Sequence, residues 1–175
     1  MANREALREL QTRLASRLQA ARTEGISVAW LAVRAKGKNY LFPLVQSGEI
    51  FAVSQIQTVP YVLPWFRGVL NIRGGLYGVV DLAAFVSGDF KAPIDVSAGE
   101  ASVVTLNAAL EVNCALQVDS LLGLRAAEAF TSSTAPDPGG PAYFGNRFVD
   151  AAGDVWQEVN LRTLAQDSSF LNIRA

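Results

Sequence analysis

The side chain best suited to covalent chemistry is Cys114, the single cysteine of the chain. In EVNCALQV it shares a strand face with Val112, Leu116 and Val118, because alternate strand residues point the same way. No histidine is present to lower its pKa, so a small buried hydrophobe is its expected role. Two carboxylates, Asp81 in VVDL and Asp119 in QVDS, close apolar strands and are placed to cap the turn or short helix that follows. A catalytic pair would need two such groups together in a cleft. The glycines of RGGLYG, residues 73–78, lack the GK[ST] of a nucleotide-binding loop and the strand–GxGxxG–helix setting of a dinucleotide fold, so backbone geometry between strands explains them better. Arg73 stands apart. It lies between Ile72 and Gly74 in an apolar run, with no acidic residue within seven positions on either side. Its guanidinium must reach a remote carboxylate, backbone carbonyls or a partner, and a structural ion pair and an interface contact weigh equally. Trp65 and Phe66, on a bend punctuated by Pro60 and Pro64, pose a similar choice between core plug and interface anchor.

The missing histidine also removes His-based triads and the commonest zinc ligand, and one cysteine rules out an internal disulfide or a Cys-rich metal site. No catalytic set, cofactor or metal is expected. Fifteen Lys plus Arg against sixteen Asp plus Glu leave a net charge of −1, which argues against nucleic acid as a partner. Charged residues make up 18% of the 175 residues and hydrophobic ones 50%, against roughly 25% charged in an average soluble domain. That surplus suits a protein that adheres to other proteins. The N-terminus lacks the apolar core of a signal peptide, and no run reaches the roughly 18 apolar residues of a membrane span. A cytoplasmic protein without direct membrane insertion is the expectation.

Residues 1–24 carry five Arg and three Glu with no Gly or Pro, and Leu7, Leu10, Leu14, Leu18 and Ala21 recur at helical spacing. They predict an amphipathic helix, capped by Asn3 and stopped by Gly25, that packs in cis or docks a partner. From Gly25 the period changes to that of strands. ISVAWLAVRA and YLFPL flank a Lys36–Asn39 turn, LVQSGEI forms one or two helical turns, and FAVSQIQTVP resumes as strand. In GVLNIRGGLYGVVDL, the glycines Gly74, Gly75 and Gly78 let two strands turn or approach closely. The plan begins at Ile26 and again at Ala101: ASVVTLNAALEVNCALQV gives strand, turn and strand, and DSLLGL a short amphipathic turn. Such a repeat suggests two similar small β-barrels rather than one sandwich. TSSTAPDPGGP, residues 131–141, reads as a surface loop or flexible linker. A closing hairpin turned at Gly153-Asp154 and a final helix opened by Asn160 complete the chain.

VPYVLPWFRGVLNIRGGLYGVVDL, residues 59–82, resembles the signature segment of the CheW-like coupling proteins of bacterial chemosensory systems. The pattern there is a proline-bounded lead, then G-V-hydrophobic-N-hydrophobic-R-G and V-V-D-L; Gly68, Val69, Asn71, Arg73, Gly74 and Val79 to Leu82 fit it. CALQVDSLLGL resembles the family's L-x-V-D-x-V-L-G segment, and residues 26–170 can be laid along one such domain. Gly78 stands where the family usually has Pro, and GEIFAVSQIQTVPYVLPW with the charged N-terminal helix is similar to the PilI-like branch, which serves type IV pilus twitching motility.

The resemblance implies two pseudo-symmetric, five-stranded SH3-like barrels, and together with the helices read from the sequence pattern the expected fold is all-β, with a helix over residues 1–24 and a short C-terminal helix in the CheW-like domain of residues 25–175. It also implies a non-enzymatic adaptor that couples the cytoplasmic tip of a methyl-accepting chemoreceptor to the regulatory domain of a CheA-type histidine kinase, in the cytoplasm beside membrane-bound receptor arrays. Gly68 and Arg73, with Asn71 and Ile72 beside them, occupy the positions tied in the family to receptor binding. No segment marks a kinase-binding face. The alternative is a small-ligand-binding β-barrel sensor, against which stands the core-like filling by Val, Leu and Ala.

Overall fold

The leucine stripe of the N-terminal segment becomes a helix, α1 (Ala2–Glu24), in the computed structural model, which describes residues 2–24, 28–88 and 101–175. Leu14 and Leu18 are buried while Leu10 stays half in solvent, so the stripe packs on the body in cis. Asn3 lies inside the first turn instead of ahead of it. The Gly25 stop and the first predicted strand residue, Ile26, fall outside the described residues.

Strands β1 (Val28–Ala35), β2 (Lys38–Pro43) and β3 (Ser47–Ala52) follow, then β4 (Phe66–Ile72) and β5 (Gly75–Asp81) with a short helix α2 (Leu82–Ser87). After the second gap come β6 (Ser102–Leu106), β7 (Cys114–Val118), β8 (Ser120–Ala126), β9 (Phe130–Thr134), β10 (Phe144–Asp150) and β11 (Val155–Val159). Two short helices, α3 (Leu161–Leu164) and α4 (Ser168–Leu171), stand where one final helix was expected.

The strands form two SH3-like sheets, ordered β8-β1-β2-β11-β10-β9 and β3-β6-β7-β5-β4. Leaving out β9, the two orders correspond position by position. In both, the third and fourth strands run parallel, β2 with β11 and β7 with β5, and every other pairing is antiparallel. The expected repeat is therefore present, but it is exchanged: hairpin β1–β2 sends β3 into the other sheet, and hairpin β6–β7 sends β8 back. The equivalence extends to the helices. Asp81 Oδ1 accepts from the Ala84 N–H at 3.0 Å to open α2, and Asn160 Oδ1 accepts from the Thr163 N–H at 3.0 Å to open α3.

Three local expectations are corrected. DSLLGL is not a helical turn but most of β8, whose residues are all half-buried and pair with β1. LVQSGEI is helical only over Leu44–Gln46, as a 3-10 turn, before β3 begins. The loop placed at 131–141 is strand as far as Thr134, because the hydroxyl-bearing TSST pairs with β10 and gives the first sheet a sixth strand.

Alternation sorts the apolar strands between cores. Leu31, Val33, Phe42, Val80, Val104 and Leu116 meet in a layer shared by both sheets, with Trp65, Phe170 and Leu18 of α1. Their neighbours turn the other way: Ala32, Leu41 and Trp156 fill the first sheet's interior, and Leu70, Val79, Val103 and Ala115 the second's. Strands buried on both faces need near-continuous apolar sequence, which accounts for the 50% hydrophobic content. Cys114 lies in the shared core, where burial pushes its thiol up to about 12. Finally, α1 lies over β3 and β8, the end strands of the two sheets, and Gln11 Nε2 donates to Ser102 Oγ at 2.9 Å. The helix thereby covers backbone edges that would otherwise be open.

Candidate functional site

Hairpin β4–β5 reverses at Arg73-Gly74, with Ile72 paired to Gly75 across the turn. Both turn residues have positive φ, +51° and +83°, as a two-residue type I′ turn demands. Such turns favour Asn-Gly. An arginine in the left-handed region costs on the order of 1 kcal/mol. Asn71 steadies the turn, its Oδ1 accepting from the Gly74 N–H at 3.0 Å. Lys36-Gly37 turns hairpin β1–β2 in the same way, and there Asp119 Oδ2 accepts from the Lys36 N–H at 2.5 Å. Asp119 thus braces a distant turn and opens no helix of its own.

The remote carboxylate that Arg73 required is Glu49 of β3. Nη1 lies 2.8 Å from Glu49 Oε2 and 2.9 Å from Oε1, and the guanidinium sits 5.5 Å above the Phe51 ring. Glu49 is held by its backbone, whose N–H donates to Thr105 Oγ1 at 2.7 Å. The side chains are 72% and 48% exposed, so the pair contributes at most about 1 kcal/mol to stability and is free to exchange partners.

Two depressions meet at this pair. One, of about 390 Å³, is lined by Ile72, Tyr77, Thr105 and Asn107; the other, of about 410 Å³, lies between β3 and Thr12, Ala15 and Ser16 of α1, and both include Glu49, Phe51 and Arg73. The arrangement can hold a partner's carboxylate in a planar, two-pronged contact beside an aromatic face. It offers no activated nucleophile. Among the described residues, no group of three or more Cys, Asp or Glu is placed to hold a metal, and no described helix is long and apolar enough to cross a membrane.

The other motif residues divide between surface and scaffold. Ile72 is half-buried on the rim of the first depression and packs on the second sheet's interior. Gly68 is buried at φ +136°, and a Cβ there would collide with the Gln57 carbonyl, which receives the Val69 N–H at 2.8 Å. Trp65 is a core plug: it is 4% exposed and stacks on Phe170 with ring centroids 6.3 Å apart. Phe66 is half-buried and packs against the same core, and Gly78 makes room for its ring. Sequence reasoning missed Glu49, Phe51 and the α1 wall. The alternation of Glu49 and Phe51 in SGEIFA was the available signal, hidden because the helical turns expected of LVQSGEI separate Glu49 from the strand expected to begin at Phe51.

A family model for the CheW-like domain matches residues 29–167. Protein PilI of Pseudomonas aeruginosa (strain PAO1) is 31% identical over 74 residues, a stretch that spans 42% of this chain and 42% of PilI. The crystal structure of the scaffolding protein TtCheW from Thermoanaerobacter tengcongensis is similar with a TM-score of 0.62, over 77% of this chain and 89% of that one, at 14% identity. At that identity the likeness concerns the fold.

Proposed function

The chain belongs to the CheW-like domain family, and from that premise we propose that it is a non-enzymatic coupling protein, joining the cytoplasmic tip of a methyl-accepting chemoreceptor to the regulatory domain of a CheA-type histidine kinase. The observation that carries this reading is Arg73, held on a strained turn, exposed, and paired with a carboxylate that a partner can replace. Ile72 adds apolar contact beside it, while Gly68 and Asn71 act by shaping strand and turn. The likeness to PilI supports a pathway that controls type IV pilus twitching motility. Partners are protein; nucleic acid, metal and cofactor have no part, and the protein reaches the membrane only through the receptor array. The ligand-sensor alternative has little support, since Leu70, Val79, Val103 and Ala115 fill one barrel interior and Ala32, Leu41 and Trp156 the other.

Co-sedimentation with receptor cytoplasmic fragments and with the kinase tests the reading. Binding to both is expected, and no binding to either at concentrations on the order of tens of micromolar overturns it. For the branch, deletion of the gene should abolish twitching and leave flagellar swimming intact; the reverse pattern assigns the flagellar pathway.

A further inference from the structure

We propose that α1 forms a wall of the same binding site, so that a partner α-helix carrying a carboxylate lies against Thr12, Ala15 and Ser16 while its acidic group meets Arg73. This rests on the receptor-coupling reading and adds to it the N-terminal helix as a recognition element. The depression between α1 and β3 has these α1 side chains along one side and Glu49, Phe51 and Arg73 along the other. The Arg73–Glu49 pair also borders the first depression, so the two depressions adjoin at it. Thr12, Ala15 and Ser16 fall at i, i+3 and i+4, on one stripe of the helix, and the buried Leu18 closes the same depression beneath them. Their side chains are short, and short side chains let a second helix approach to an axis separation of about 8 Å.

The chemistry of the occupant follows from the charge at the junction. The floor presents one guanidinium whose only ionic partner among the described residues is exposed and exchangeable, so the arriving helix gains most from a carboxylate at that point. Small or apolar residues suit the rest of its contact face. The position of α1 shows that this flank of the sheets accepts a helix: its leucines already seat it along β3, and the occupant lies beside it as the next helix in the same layer.

The test is a footprint on the full chain. Cys114 is buried with its thiol pushed up to about 12, so it stays silent to alkylation at neutral pH and an introduced cysteine is the reactive one. In Ser16→Cys, alkylation should slow about tenfold when a receptor cytoplasmic fragment is present at ten times its Kd. In Arg17→Cys, exposed and turned well away from the Thr12–Ala15–Ser16 stripe, it should not change. Ala15→Trp should weaken receptor binding about tenfold with an unchanged melting curve and unchanged kinase binding. Equal alkylation rates at Ser16→Cys with and without bound receptor, together with wild-type affinity of Ala15→Trp, overturn the role of α1 and leave the Arg73 reading in place. If the unsubstituted protein fails to bind receptor, both fall together.

Discussion

Arg73 and Glu49 join the tip of the β4–β5 hairpin to β3 through a 2.8 Å ion pair in which both side chains remain largely in solvent. An exposed pair of this kind is a poor brace. Its geometry is better suited to presenting a guanidinium in a fixed place than to holding two strands that the ladders already hold.

Replacing Arg73 should therefore separate stability from binding. In Arg73→Asn the turn receives the residue that a type I′ geometry favours, which offsets the lost ion pair, and urea denaturation should move by no more than about 0.5 kcal/mol. Receptor affinity should fall about tenfold, and in Arg73→Glu by on the order of 2 kcal/mol or more. Titration of folded variants with a receptor fragment reads this directly; unchanged affinity would make the arginine purely structural.

Gly68→Ala should behave in the opposite manner. The φ of +136° and the Gln57 carbonyl facing the missing Cβ leave a methyl group neither a permitted conformation nor space. A loss on the order of 3 kcal/mol is expected, read as a lower urea midpoint with little change in slope. Any loss of receptor binding should track the unfolded fraction.

Asp81→Ala and Asn160→Ala should each cost about 1 kcal/mol, since each removes the side chain that accepts the third N–H of a short helix. Asp81→Asn keeps an acceptor and should cost less. Thermal melts of the three variants, side by side, check whether the two equivalent caps carry equivalent weight.

At alkaline pH the buried thiol becomes a liability. Cys114 is raised from 9.0 to about 12 by burial, so the folded state holds its proton more tightly than the unfolded chain does. Its contribution is whole below about pH 9 and is lost as the pH rises towards 12, with a slope of up to about 1.4 kcal/mol per pH unit. Tyr40 and Tyr143, also raised chiefly by burial, act with the same sign from about pH 10 upward. Cys114→Ala should delay the onset of alkaline destabilisation by about one pH unit, to where the tyrosines begin. Coincident wild-type and variant curves of stability against pH would disprove it.

How much of this was legible beforehand depended on how local the cause was. Asp81 as a cap and Cys114 as core follow from neighbours in sequence, and the chain carries those neighbours in plain order. The partner of Arg73 does not, because Glu49 reaches it only after β3 has crossed into the second sheet. DSLLGL and TSST misled for a related reason. Pairing with β1 and β10, distant in the chain, overrides weak intrinsic preference. The resemblance carried by residues 59–82 gave the architecture, but it left the placement of α1 open, and its position beside Arg73 emerges only from the packed molecule.

The exchange of β3 and β8 means that neither barrel is an independent folding unit. Each half of the chain supplies strands to both sheets, so residues 28–88 alone hold only β1 and β2 of the first sheet and β3, β4 and β5 of the second. A break in either sheet is felt in the other, and the molecule melts as one body. This has a mechanical consequence: force applied at one sheet reaches the other through the short covalent β2–β3 and β7–β8 connections as well as through the core they share.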